Sequence, residues 1–149
     1  MDEILEKLDR ENIYLAGFGK RAAAFIIDNF IVSLVIFIAF YSDFMAVAAD
    51  ANQLYEMAAN FAIFILCLQF FYHFLFTAFY GATLGKMALR IKIIDERTLD
   101  KPGVLGAFLR TAVRFLSESA FYLGFAWAFG NELRKTWQDY AARTLVIDA

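Results

Sequence analysis

The sequence is poor in the residues that build metal and thiol sites: among 149 residues there is one cysteine, Cys67, one histidine, His73, and one proline, Pro102. A lone cysteine excludes an intrachain disulfide and a cysteine-based zinc cluster, and a lone histidine excludes a histidine-rich metal site. No metal and no cofactor is therefore expected. Nor is there an excess of basic charge. Lys and Arg number 14 against 16 Asp and Glu, a net charge of −2 that removes the general electrostatic case for a nucleic-acid partner. Residues 1–19 lack a secretory signal pattern, because Asp2, Glu3, Glu6, Asp9 and Glu11 occupy the place of a basic start and apolar run. The first apolar run is expected to remain as an uncleaved signal anchor. With no Ser/His/Asp set, no paired catalytic carboxylates and no metal-binding helix motif, no enzymatic activity is expected.

What the sequence has in abundance is apolar surface. Hydrophobic residues make up 61% and 18 residues are Phe, against about 45–50% apolar in soluble domains. So short a chain cannot hide that surface in one small core, and the bilayer is the expected solvent. Residues 22–41 are interrupted only by Asp28, Asn29 and Ser33, and residues 61–80 carry no formal charge, only Gln69, His73 and Thr77. Each run covers about 30 Å as a helix, the thickness of the hydrocarbon layer, so both are expected to be transmembrane helices. Between them lies an Ala-rich acidic connection in which Asp50 and Gln53 read as a helix start, placed before the chain enters lipid.

Orientation follows from Lys and Arg near the membrane ends. Lys7, Arg10, Lys20 and Arg21 precede the first run, none lies between residues 42 and 60, and Lys86, Arg90, Lys92, Arg97 and Lys101 follow the second. The amino terminus and the loop 81–104 are expected to be cytoplasmic, in a multi-pass membrane protein. Residues 89–94 alternate β-branched and basic positions and read as a strand, as do residues 144–147. The two can pair if both lie on one side. The third apolar stretch, 104–130, carries Arg110, Arg114 and Glu118 at four-residue steps, one stripe of a helix, and its charge-free part covers only about 18 Å. It either spans with the stripe buried against other helices, or re-enters near Ser117-Glu118-Ser119; the re-entrant reading is preferred. The expected fold is an all-α membrane protein with two transmembrane helices, a third membrane-embedded stretch and a small cytoplasmic strand pair. It forms one domain over residues 16–148, preceded by an acidic segment 1–15 whose Ile4, Leu5 and Leu8 share a helix side.

Asp28 lies about 10 Å deeper along its helix than Arg21, and a carboxylate at that depth must face protein or water. Arg110 and Arg114 are its expected partners, with Arg21 reaching for lipid phosphates. Such a pair could be a structural register device or a cation or proton site. Gln69, His73 and Thr77 form a polar stripe that serves either as a proton relay or, more simply, as interhelical hydrogen bonding. Gly81-Ala82-Thr83-Leu84-Gly85-Lys86-Met87 does not match a phosphate-binding loop, having three residues between its glycines and Met after the lysine. It reads as a tight turn that lets Lys86 meet headgroups.

Taken in order, several blocks resemble the RDD family of bacterial integral membrane proteins: Gly17-Phe18-Gly19-Lys20-Arg21 leading to Asp28, the 81–86 turn followed by the strand to Asp95, Arg110 with Arg114, and Trp137-Gln138-Asp139-Tyr140-Ala141-Ala142-Arg143-Thr144. The one arginine and two aspartates that give that family its name fall on Arg21, Asp28 and Asp139, while Gln138 stands where many members have histidine. The resemblance brings in Asp139, otherwise an ordinary carboxylate beside Arg134 or the basic loop, and implies a transport role, cation/proton antiport for some members. The leading expectation is thus cation or proton transport by an oligomer, with Asp28 as carboxylate, Arg110 or Arg114 as partner and His73 as relay. The alternative is a structural or accessory subunit whose buried charges, Glu118 included, fix assembly with a membrane protein partner. A third reading is a protein that engages membrane lipids through Arg110, Arg114 and the basic loop.

Overall fold

The structure is a computed structural model describing residues 2–149. Two long apolar helices stand on a small knot of short helices wrapped around a two-stranded sheet. Helix α1 (Asp2–Arg10) is followed by α2 (Phe18–Ala39), the short α3 (Tyr41–Val47) and α4 (Ala51–Tyr80). At 30 residues α4 is about 45 Å long, and it starts well before the second apolar run. Its start is set by Asp50, whose carboxylate accepts from the backbone N–H groups of Asn52 and Gln53. Its end is set by Gly81, whose φ of +68° is a left-handed cap. Both long helices are apolar enough to cross a membrane, and only 17% of each apolar window is buried within the molecule. Ile26, Phe30 and Ile38 on α2 and Ile63, Phe64 and Phe79 on α4 are among the side chains left at the surface.

After Gly81 come α5 (Leu84–Ala88) and β1 (Ile91–Asp95), and the chain returns at its far end through α8 (Trp137–Ala142) into β2 (Thr144–Asp148). The strands pair antiparallel, Ile91 opposite Asp148 and Asp95 opposite Thr144. The sequence places the first strand two residues early: Leu89 and Arg90 form a turn, with Arg90 at a φ of +53°. Residues 14–16 run along the other edge of β2, bonded through Ala16 N to Val146 O at 2.9 Å and Asp148 N to Tyr14 O at 2.9 Å. Strand alternation then gives the sheet two faces. Ile94, Leu145 and Ile147 face α1, where Leu8 is 3% exposed and Ile4 and Leu5 pack beside it. Ile91, Ile93 and Val146 face the foot of α2 at Ala24. The acidic first segment therefore shares a core with the sheet, and burying Leu8 alone is worth about 1.5–3 kcal/mol.

Between the strands the stretch 104–130 is not one helix. Helix α6 (Val104–Ser119) stops at Ala120, Phe121 and Tyr122 both take positive φ, and the chain continues as α7 (Leu123–Ala126) and a 3-10 turn (Trp127–Gly130). Gly124 lets this returning segment lie close against its neighbours, since a Cβ there would sit 2.4 Å from Ser117 Oγ and 2.9 Å from the Trp137 ring.

Candidate functional site

Asp28 is wholly buried, but no arginine pairs with it among the described residues. Tyr72 of α4 donates to its Oδ1 at 2.7 Å, Thr83 donates to Oδ2 at 2.6 Å, and the backbone N–H of Gly85 donates to Oδ1 at 2.8 Å. The expected ion pair with Arg110 or Arg114 is not formed, because α6 turns its basic stripe toward α8 and His73. Asp28 instead fastens α2 to α4 and to the start of α5. Gly85 makes this possible: an added Cβ would stand 2.3 Å from Ala24 O and 2.9 Å from the Asp28 carboxylate. Tyr72 also accepts from Leu84 N at 3.2 Å, so one hydroxyl serves both elements.

The arginines converge on Asp139. Threonine at the position before α8 and aspartate three residues on form a capping box, with Thr136 N and Oγ1 both donating to Asp139 Oδ2 at 2.8 Å. Arg110 donates from one guanidinium nitrogen to Asp139 Oδ1 and to Thr144 Oγ1, the latter at 2.6 Å. Arg21 comes from the foot of α2 and donates to Asp139 Oδ2 at 3.4 Å, to Arg134 O at 2.7 Å and to Val146 O at 3.3 Å. It does not reach outward to headgroups, because the returning chain at residues 134 and 146 offers it carbonyls that need a donor. Burial pushes the Asp139 carboxyl up, but Arg110, Arg21 and the Thr136 backbone outweigh it and hold the group below the usual carboxylate range.

Arg114, one turn beyond Arg110, donates through Nε to Glu118 at 2.8 Å and through a terminal nitrogen to His73 Nδ1 at 2.9 Å, and lies over the Phe25 ring. A guanidinium can only donate, so His73 Nδ1 must keep its lone pair and the proton sits on Nε2. Gln69, a turn away on α4, is half-buried and stands apart from this group.

These side chains surround a cavity of about 320 Å³ between α2, α4, α6 and the α7 segment. Arg21, Lys86, Arg110 and Arg114 line it, with His73, Thr77, Thr111, Thr136 and Gln138, and Asp139 is the one carboxylate in its wall. Asp139 is shared by two arginines and Glu118 balances Arg114, while Lys86 has no salt-bridge partner among the described residues. Lys86 lines this cavity instead of reaching outward to headgroups as expected. Burial, then the neighbouring Arg114 and Arg110, lower its ammonium to about 7.

A sequence model of the RDD family matches residues 15–143, a span that contains Arg21, Asp28, the basic stripe and Asp139. The chain belongs to the RDD family. No curated protein and no solved structure matches it. In this RDD protein the arginine and the second aspartate are one ion-paired unit with Arg110, and the first aspartate is a separate hydrogen-bonded junction. The residues that reasoning from the sequence missed are Tyr72, Thr83, Thr136 and Thr144. Of these only Thr136 carries a local signal, its three-residue spacing from Asp139.

Proposed function

We propose that this RDD protein is a multi-pass inner-membrane protein that binds an anionic ligand in its basic cavity. The observation that carries this reading is the charge of the wall: four cationic side chains against one carboxylate, with Lys86 uncompensated. A cation or proton route through Asp28 has less support, since three neutral donors already engage that carboxylate and His73 is held in one tautomer by Arg114. The accessory reading is favoured by one observation, the closure of Arg21, Asp139 and Arg110 into a unit that ties α2, α6 and α8 together.

The membrane placement rests on α6 being inside out. Arg110, Thr111, Arg114 and Ser117 are buried, while Val104, Leu105 and Leu116 are 67–71% exposed. Water would favour the reverse, and lipid favours this arrangement. Because β1 and β2 are paired, the chain between them must leave and return on one side, which supports a re-entrant 104–130 over a single crossing. Residues 14–16 join the same sheet, so α2 and α4 make one excursion together. The distribution of Lys and Arg near the membrane ends supports a cytoplasmic sheet.

The test is twofold. Inorganic phosphate should raise the unfolding temperature of the purified protein at constant ionic strength, whereas sodium and potassium chloride should not. In proteoliposomes, Asp28→Asn should leave any ion-driven proton flux unchanged. A flux lost in a still-folded Asp28→Asn variant would return cation transport to first place.

A further inference from the structure

The cavity opens sideways. Of the residues around it, Ile26, Tyr122 and Phe129 are 65%, 49% and 73% exposed, whereas Ile93 and Val146 on the sheet side are 1% exposed. The mouth therefore lies between α2 and the α7 segment, on the apolar flank, and the sheet closes the opposite wall. A soluble anion reaches that mouth only by crossing the surface that the long helices present to lipid. An amphiphile already lying in the leaflet meets it directly.

We propose that the cavity receives the phosphate group of an anionic lipid laterally from the leaflet, with the phosphate at Lys86 and Arg114 and the hydrocarbon leaving past Ile26 and Phe129. This rests on the anion-binding reading and narrows it to a ligand class. At about 320 Å³ the space is at the small end of ligand pockets. It holds a headgroup, and the chains stay outside, where aromatic and aliphatic side chains border the opening. Lys86 has no hydrogen-bond partner among the described side chains, so its three donors are free for phosphate oxygens. Gln138 lines the same cavity at 4% exposure and its Oε1 has no partner, an acceptor fit for a headgroup hydroxyl. Arg114 is oriented in advance by Glu118 and His73, so binding costs it little freedom.

The experiment uses the full chain in phosphatidylcholine vesicles that contain chain-brominated phosphatidic acid or, at the same mole fraction, chain-brominated phosphatidylcholine. Trp127, 59% exposed on the 3-10 turn beside the mouth, reports proximity by quenching. Phosphatidic acid should quench more strongly, and Lys86→Gln should weaken that preference about tenfold, with Lys86→Arg restoring it. A cooperative unfolding transition at a temperature no lower than the parent's shows that Lys86→Gln still folds. Equal quenching by the two lipids, or a preference indifferent to Lys86→Gln, overturns the lipid proposal. If inorganic phosphate still stabilises the protein in a Lys86-dependent way, the anion-binding reading survives that failure. If phosphate does nothing either, both readings fall.

Discussion

Arg21 and Asp139 are 118 positions apart in the chain and 3.4 Å apart in the fold. That contact joins the foot of the first apolar helix to the capping box of the last helix, and Arg110 makes it a buried triad.

Removing the carboxylate leaves two arginines with no counter-charge between them. Asp139→Asn is expected to destabilise the fold by about 3–5 kcal/mol, measured by denaturant unfolding in micelles. The pH dependence has a definite sign. Asp139 titrates lower in the folded state than its ordinary 3.8, so its contribution is complete above that value and lost as pH falls through the folded value. Stability should therefore hold from neutral pH down to about 4 and decline only in stronger acid, with a shallower decline in Asp139→Asn.

Lys86 works in the opposite direction. Its folded value of about 7 lies below the ordinary 10.5, so between those limits the unfolded chain binds the extra proton and stability rises with pH. The unfolding temperature of the ligand-free protein should climb from pH 7 to 10. Lys86→Met should flatten that climb and melt higher than the parent at pH 7.

Two glycines should respond oppositely to alanine. Gly85→Ala drives a methyl group into the Ala24 carbonyl and the Asp28 carboxylate, costing about 1–3 kcal/mol or more. Gly19, exposed in the first turn of α2, has nothing within 4 Å of an added Cβ. Gly19→Ala should stabilise by about 0.5–1 kcal/mol. Thermal unfolding of the two variants side by side checks both signs.

The proposed re-entrant path is open to cysteine labelling in a Cys67→Ser background. Asn131→Cys and Ala149→Cys should react from the same side as Thr98→Cys on the exposed β1 turn, and Ser117→Cys, fully buried, should stay protected. Labelling of Asn131→Cys from the opposite face would mean that 104–130 crosses once.

The apolar runs, the Asp50 start, the two strands to within two residues and, in the preferred of two readings, a turn-back near Ser117-Glu118-Ser119 are legible as patterns of hydropathy and spacing. Helix α6 runs to Ser119 before the chain turns. The partners of the charges were not. Arg21, Asp28, Arg110 and Arg114 stand out in the sequence because they are costly in lipid, but which carboxylate meets which arginine depends on how α6 is rotated about its axis. That rotation is set by contacts with α8 and His73, far away in the chain. The sequence offers Arg110 or Arg114 as the partner of Asp28, whereas a tyrosine, a threonine and one backbone N–H take that place. Nothing local to Tyr72 or Thr83 announces that role.

The Arg21 triad also imposes an order of events on biosynthesis. Ribosomes add roughly 5–20 residues per second, so about 6–24 s separate the synthesis of Arg21 from that of Asp139. Throughout that interval the arginine of α2 is without Asp139, and lipid phosphates lie within its reach as counterions. Closing the fold means taking Arg21 away from them, so a chain halted before residue 139 should remain bound to headgroups at the very position that the finished protein seals.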